Sequence, residues 1–127
     1  MPIPYNHREK MMSIFWEEDD YRDFLNKVYD QELSPDMGLK SDLAQMLEVS
    51  PSFVTKILSK QAHLSLEQVE VLSRILKFSE SEQLAFIDKV LLCRSNSDAL
   101  KKVLIKRIRS SFELAHWPEI SSKPKLD

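Results

Sequence analysis

Asp42-Leu43-Ala44-Gln45-Met46-Leu47-Glu48-Val49-Ser50-Pro51-Ser52-Phe53-Val54-Thr55-Lys56-Ile57-Leu58 is the stretch that decides the fold. Leu43, Ala44 and Leu47 recur at helical steps, the register then breaks, and Val54, Ile57 and Leu58 resume it. Ser50-Pro51 marks the restart. A serine oxygen caps the free N–H groups of a helix, and proline, which lacks an N–H, is pre-set for the first helical position. The reading is two short helices, 39–48 and 51–60 or 61, joined by about three residues. Small Ala44 stands where the helices cross and Val49 anchors the turn. The second helix carries Val54, Ile57 and Leu58 inward and Ser52, Thr55, Lys56 and Ser59 outward.

Outward from this pair the pattern stays helical. Ser65 with Gln68 and Ser79 with Glu82 are capping boxes, which predict helices over 66–77 and 80–93, and Ser97 caps a last helix holding Leu100, Val103, Leu104, Ile108 and Phe112. Upstream, Phe15, Tyr21, Phe24, Leu25, Val28, Tyr29 and Leu33 predict a helix over 18–33 with an aromatic inner face, ended by Ser34-Pro35-Asp36-Met37-Gly38. Residues 1–13, with Pro2 and Pro4, read as a flexible arm, and 118–127 as a flexible tail. No stretch alternates with period two, so the fold class is all-α, with about six helices in one domain over 14–117.

Composition narrows the chemistry. A chain of 127 residues, 43% hydrophobic and 30% charged, suits one folded domain. Its only glycine, Gly38, excludes the glycine-rich loops that cradle phosphates. Cys93 has no second cysteine to bridge, and His7, His63 and His116 are too far apart for paired helical ligands, so neither a metal nor another cofactor is expected. The longest apolar run, Val90-Leu91-Leu92-Cys93, is far short of the roughly 20 residues of a membrane span, which sets the expectation of a cytoplasmic protein without membrane contact. No nucleophile, base and orienting group recur at a spacing that joins them, so a non-enzyme is expected.

Net charge is −2, but it is polarised. Residues 17–36 hold eight acids against Arg22 and Lys27, whereas 101–109 hold Lys101, Lys102, Lys106, Arg107 and Arg109 with no acid. The acids Glu17 to Asp20 are consecutive and suit the start of a helix better than a metal site.

The string from Asp42 to Leu58 resembles the "L-A-x-x-L-G-V-S-x-x-x-V-x-x-I" pattern of the Cro/cI-repressor (XRE-like) helix-turn-helix family, and the likeness extends over about 39–78, with Leu64-Ser65-Leu66 and the Val69 to Leu76 helix as that family's fourth helix. The start of the chain and its continuation past the core also resemble bacterial helix-turn-helix proteins with helical C-terminal extensions. The resemblance implies a lambda-repressor-like bundle with two additional C-terminal helices. It also implies a DNA-binding transcriptional regulator with the helix over about 51–60 in the major groove. Pro51, Ser52, Thr55 and Lys56 would then face base edges, Lys56 foremost, while Lys40, Ser41 and Lys60 would approach phosphates. Two positions depart from the family: Glu48 stands where glycine is usual, and Pro51 replaces a side chain that often bonds a base.

One short recognition helix reads few base pairs, so double-stranded DNA as partner implies a homodimer, with the helices after Phe78 as the natural contact. Two other readings stay open: an ordinary helical hairpin, and a non-catalytic protein-interaction module on the same scaffold. Residues 39–63 favour the module through their charge, Lys40, Lys56 and Lys60 against Asp42 and Glu48, a balance of only +1.

Overall fold

The computed structural model describes residues 4–117, and among them the regular elements are all helical. Seven α-helices follow one another: α1 (Pro4–Glu17), α2 (Tyr21–Asp30), α3 (Lys40–Met46), α4 (Pro51–Leu58), α5 (Leu66–Ile75), α6 (Glu80–Arg94) and α7 (Asp98–Ala115), with a 3-10 turn at Pro35–Met37 before α3. The all-α expectation holds. The tail expected over 118–127 lies outside the described residues, as do the first three of the arm.

Two expectations at the N-terminus give way. Residues 4–13 are not an irregular arm but the first part of α1, which proline can open because its missing N–H would have had no helical partner. Met11, Met12 and Phe15, at helical spacing, bury their side chains. The helix expected over 18–33 is correspondingly shorter, because α1 runs to Glu17 and α2 starts after Asp20, whose carboxylate accepts the Arg22 N–H at 2.9 Å. A carboxylate at this position satisfies a free N–H and suits the positive end of the helix.

The later starts follow the sequence. Ser50 accepts the Phe53 N–H at 3.2 Å with Pro51 at the first position of α4, and Ser97 accepts the Leu100 N–H at 3.2 Å. Ser65 with Gln68 and Ser79 with Glu82 form reciprocal boxes at the starts of α5 and α6.

Helix ends are made without glycine. Glu32, Glu48, Lys60 and Lys77 hold φ of 51°, 57°, 66° and 58° just past α2, α3, α4 and α5. At α3 the Val49 N–H bonds the Ala44 carbonyl at 2.9 Å and the Glu48 N–H the Gln45 carbonyl at 3.1 Å; α2 and α4 close in the same double pattern. This is the Schellman closure, which needs one left-handed residue and usually recruits glycine. Gly38 is spent elsewhere: at φ 62° its absent side chain leaves room for Asp42, whose Oδ2 would sit 2.7 Å from a Cβ there and instead accepts the Leu39 N–H at 2.8 Å.

The chain divides into two compact units, one reaching Lys77 and the other beginning at Phe78, where the sequence suggested a single domain over 14–117. In the first, α1 packs on α2, α2 on α4, and α3 on α4. Phe15, Tyr21, Phe24, Leu25 and Val28 fill its core with Met37, Leu43, Val54, Ile57, Leu64, Val69 and Leu72. The Phe15 and Phe24 rings meet edge to face with centroids 5.2 Å apart. Trp16 and Tyr29 are only half-buried. In the second unit α6 and α7 form a hairpin, with Phe86, Ala85, Val90 and Leu104 buried; Cys93 is half-buried.

Glu48→Gly is expected to raise stability by about 0.5–1 kcal/mol, because a left-handed conformation strains a residue with a Cβ and not glycine, a gain partly offset by the freer unfolded chain. Urea denaturation of the two proteins measures it.

Candidate functional site

The sequence-named residues fall into two groups. Pro51, Ser52, Thr55 and Lys56 are exposed on one face of α4, opposite buried Val54, Ile57 and Leu58. Lys40 and Ser41 are exposed in the first turn of α3. The two hydroxyl groups on α4 are folded inward: Ser52 Oγ lies 3.0 Å from Ser50 Oγ, and Thr55 Oγ1 donates to the Pro51 carbonyl at 3.3 Å. Lys56 makes no ion pair among the described residues, so its ammonium is available to a partner.

Lys60 departs from expectation. Its ammonium donates to Asp23 Oδ2 at 2.9 Å and lies 3.9 Å from Asp20 Oδ2, so it is held by the acids of α2 instead of projecting as a phosphate contact. The hydrogen bond to Asp23 raises its pKa. Burial works to raise the Asp20 pKa, but hydrogen bonds from Arg22, helped by the Arg22 and Lys60 charges, outweigh it and hold the carboxyl below its ordinary value.

These pairs belong to a larger clamp that the periodicity did not show. Asn26 Nδ2 donates to the Leu58 carbonyl at 2.8 Å, at the last residue of α4, and to the Arg22 carbonyl at 3.0 Å. Arg22 grips Asp20 through Nε and Nη2, both at 3.0 Å, and donates Nη1 to the Ala62 carbonyl at 3.2 Å. The fully buried Tyr21 hydroxyl accepts the Leu64 N–H at 3.0 Å and lies 3.1 Å from His63 Nδ1. The hydroxyl can donate to Nδ1 when a neutral ring carries its proton on Nε2. His63 therefore serves the clamp, and α2 sets the direction in which α4 leaves its last turn. The signal that could have found this is the Arg22 and Asn26 pair, four residues apart beside the aromatic stripe of α2.

A groove of about 740 Å³ opens beside α3. Lys40, Ser41 and Asp42 form one wall, and Tyr29 and Glu32, at the end of α2, another. The Tyr29 hydroxyl is buried there without a hydrogen-bond partner among the described residues, and burial, with the Asp42 charge behind it, pushes its pKa up to about 12. Among the described residues no cluster of three His, Cys, Asp or Glu side chains can hold a metal, and no helix is long and apolar enough to cross a membrane.

Tyr21→Phe keeps the ring and removes the acceptor of the Leu64 N–H, so a loss of about 1–3 kcal/mol is expected in thermal and urea unfolding. A variant as stable as the parent would mean that the hydroxyl does not hold the loop after α4.

No family model, curated protein or solved structure matches this chain.

Proposed function

We propose that the chain is a non-catalytic, DNA-binding transcriptional regulator on a lambda-repressor-like helix-turn-helix scaffold, with α3 as its first helix and α4 as its recognition helix, acting as a homodimer. One observation carries the reading. α4 is a short, capped helix whose inner face is closed by Val54, Ile57 and Leu58, and whose outer face offers Pro51, Ser52, Thr55 and Lys56, which has no ion pair among the described residues. A helix entering a major groove needs this division, since base edges are read by exposed polar side chains near its start. Lys56 is the main candidate for a guanine edge, and Ser52 and Thr55 can bond several bases once they turn from their local partners. Lys40 and Ser41 would supply phosphate contacts. Lys60 would contribute only if DNA competed successfully with Asp23 and Asp20 for its ammonium.

That same engagement of Lys60 favours the second reading, a protein-interaction module on the same scaffold. With Lys60 neutralised, the face keeps little positive charge, and nearby Leu39 and Met46 are 73% and 38% exposed. Apolar exposure of this kind suits a protein partner better than phosphate.

Selection of the purified chain against a randomised duplex pool, at low and at physiological salt, separates these readings, because phosphate attraction fades with salt and base reading persists. The expected outcome is an enriched palindrome at physiological salt. Against it, Lys56→Ala should cost about 1–3 kcal/mol and relax specificity at one base pair. Recovery of no motif at either salt would overturn the DNA reading.

A further inference from the structure

We infer that the α6–α7 hairpin carries a binding site for a terminal phosphoryl group. The site is a crevice of about 230 Å³, lined by Leu84 and Asp88 of α6 and by Lys106, Arg107, Ser110 and Ser111 of α7. The four α7 residues come from adjacent turns. Ser110 and Ser111 stand four residues after Lys106 and Arg107, and the Cα–Cβ bonds of a helix tilt toward its N-terminus. Both hydroxyls therefore lean back toward the turn that carries the two cations.

Ser111 is the residue that points to a ligand. It is 5% exposed, it lines the crevice, and its hydroxyl has no hydrogen bond among the described residues. A serine within a helix commonly turns its hydroxyl to the carbonyl four residues back, as buried Ser73 does on Val69 at 2.8 Å. Ser111 does not. A buried hydroxyl left unpaired is costly, and an acceptor seated in the crevice recovers that cost.

The surrounding charge asks for an anionic acceptor. Lys106 is exposed and has no ion pair among the described residues. Arg107 is held from behind: its Nε donates to Asp88 Oδ2 at 3.2 Å, and Nη2 lies 3.1 Å from Oδ1. The Asp88 side chain is only 2% exposed, so it orients the guanidinium without meeting a ligand, whereas the Arg107 side chain is 58% exposed and Nη1 keeps its N–H groups for one. Two cations and two hydroxyl donors on one small crevice suit an oxyanion with several acceptor oxygens, of which phosphate is the common case. Size selects the end of a molecule. The crevice takes a phosphoryl group with a small apolar substituent against Leu84, which is 43% exposed, while a phosphate inside a nucleic-acid backbone arrives with a sugar on either side.

Titration of the isotope-labelled full chain with phenyl phosphate, inorganic phosphate and dimethyl phosphate, at constant ionic strength and followed by amide chemical shifts, tests the inference. Phenyl phosphate is expected to saturate with a Kd of about 1 mM and to move the amides of 106–111 and Leu84 together, with inorganic phosphate acting at the same amides. Ser111→Ala and Lys106→Gln should each weaken binding about tenfold, as the loss of one donor to a charged acceptor does. Lys101→Gln removes the same charge nine residues, or about two and a half turns, before Ser110, hence from the opposite side of α7, and should leave binding unchanged. Should Ser111→Ala lose its helical circular dichroism signal, Ser110→Ala, at an exposed position, carries the same decision. Shifts that never saturate, a loss as large in Lys101→Gln as in Lys106→Gln, or a folded serine variant that binds as the parent does would each overturn the inference. Dimethyl phosphate, which stands for a backbone phosphate, should bind at least about tenfold more weakly; equal binding would overturn the assignment to a terminal group. The inference does not rest on the DNA reading, which can fail in the duplex selection while this site stands.

Discussion

The polar clamp between α2 and the end of α4 is the interaction on which the candidate site depends. A helix of eight residues is too short to hold its own direction, since in water helices of that length draw their stability from tertiary packing. Val54, Ile57 and Leu58 fix its depth in the core, but apolar contacts are non-directional. Direction comes from Asn26 on the Leu58 carbonyl, Arg22 on Ala62 and Tyr21 on Leu64, three side chains within six residues of α2 that satisfy the backbone between 58 and 64. Buried backbone groups must be paired somewhere, and here the pairing also sets the orientation of a surface helix.

A chain with one glycine meets the demand for left-handed residues in another way. Closing α2, α3, α4 and α5 with Glu32, Glu48, Lys60 and Lys77 accepts a conformational cost of about 1 kcal/mol at each, which glycine would largely avoid. Lys60 recovers part of that cost through Asp23. At Glu48 no compensating contact is found among the described residues, so the turn between α3 and α4 carries strain and a negative charge together.

What could be read from sequence was local. Ser50, Ser65, Ser79 and Ser97 all proved to be caps, because a cap depends on residues three positions apart. The inner faces of α4 and α5 were legible for a similar reason, the 3.6-residue period being expressed within ten residues. α1 was missed because Pro2 and Pro4 suggested irregular chain, and its few apolar residues, Met11, Met12 and Phe15, show no period of their own before Phe15 merges with the apolar series of α2. The role of Lys60 was out of reach for a different reason: its partner Asp23 is 37 residues away, and nothing in either neighbourhood announces the pair. The outward residues of α4 were legible as exposed, but exposure does not say what they touch.

The acid-rich stretch around α2 bears on the proposed recognition in a way that net charge hides. Eight acids within residues 17–36 would repel a phosphate backbone if they all stood free, yet Asp20 and Asp23 are committed to Arg22 and Lys60, and Glu18 pairs with Lys27. Part of the acidic field is thus neutralised within the clamp that also aims α4. The same neutralisation withdraws Lys60 from any DNA surface, leaving Lys56 and Lys40 as the bases of α4 and α3 without ion pairs among the described residues. Two lysines per copy release few counterions, so one copy would bind DNA weakly at physiological salt. Doubling the contacts through a second copy is the direct physical remedy, because two linked half-sites raise affinity without a new contact in either. Under the proposed reading, the clamp that orients α4 thereby makes a lone copy a weak DNA binder and pairing of copies a condition of function.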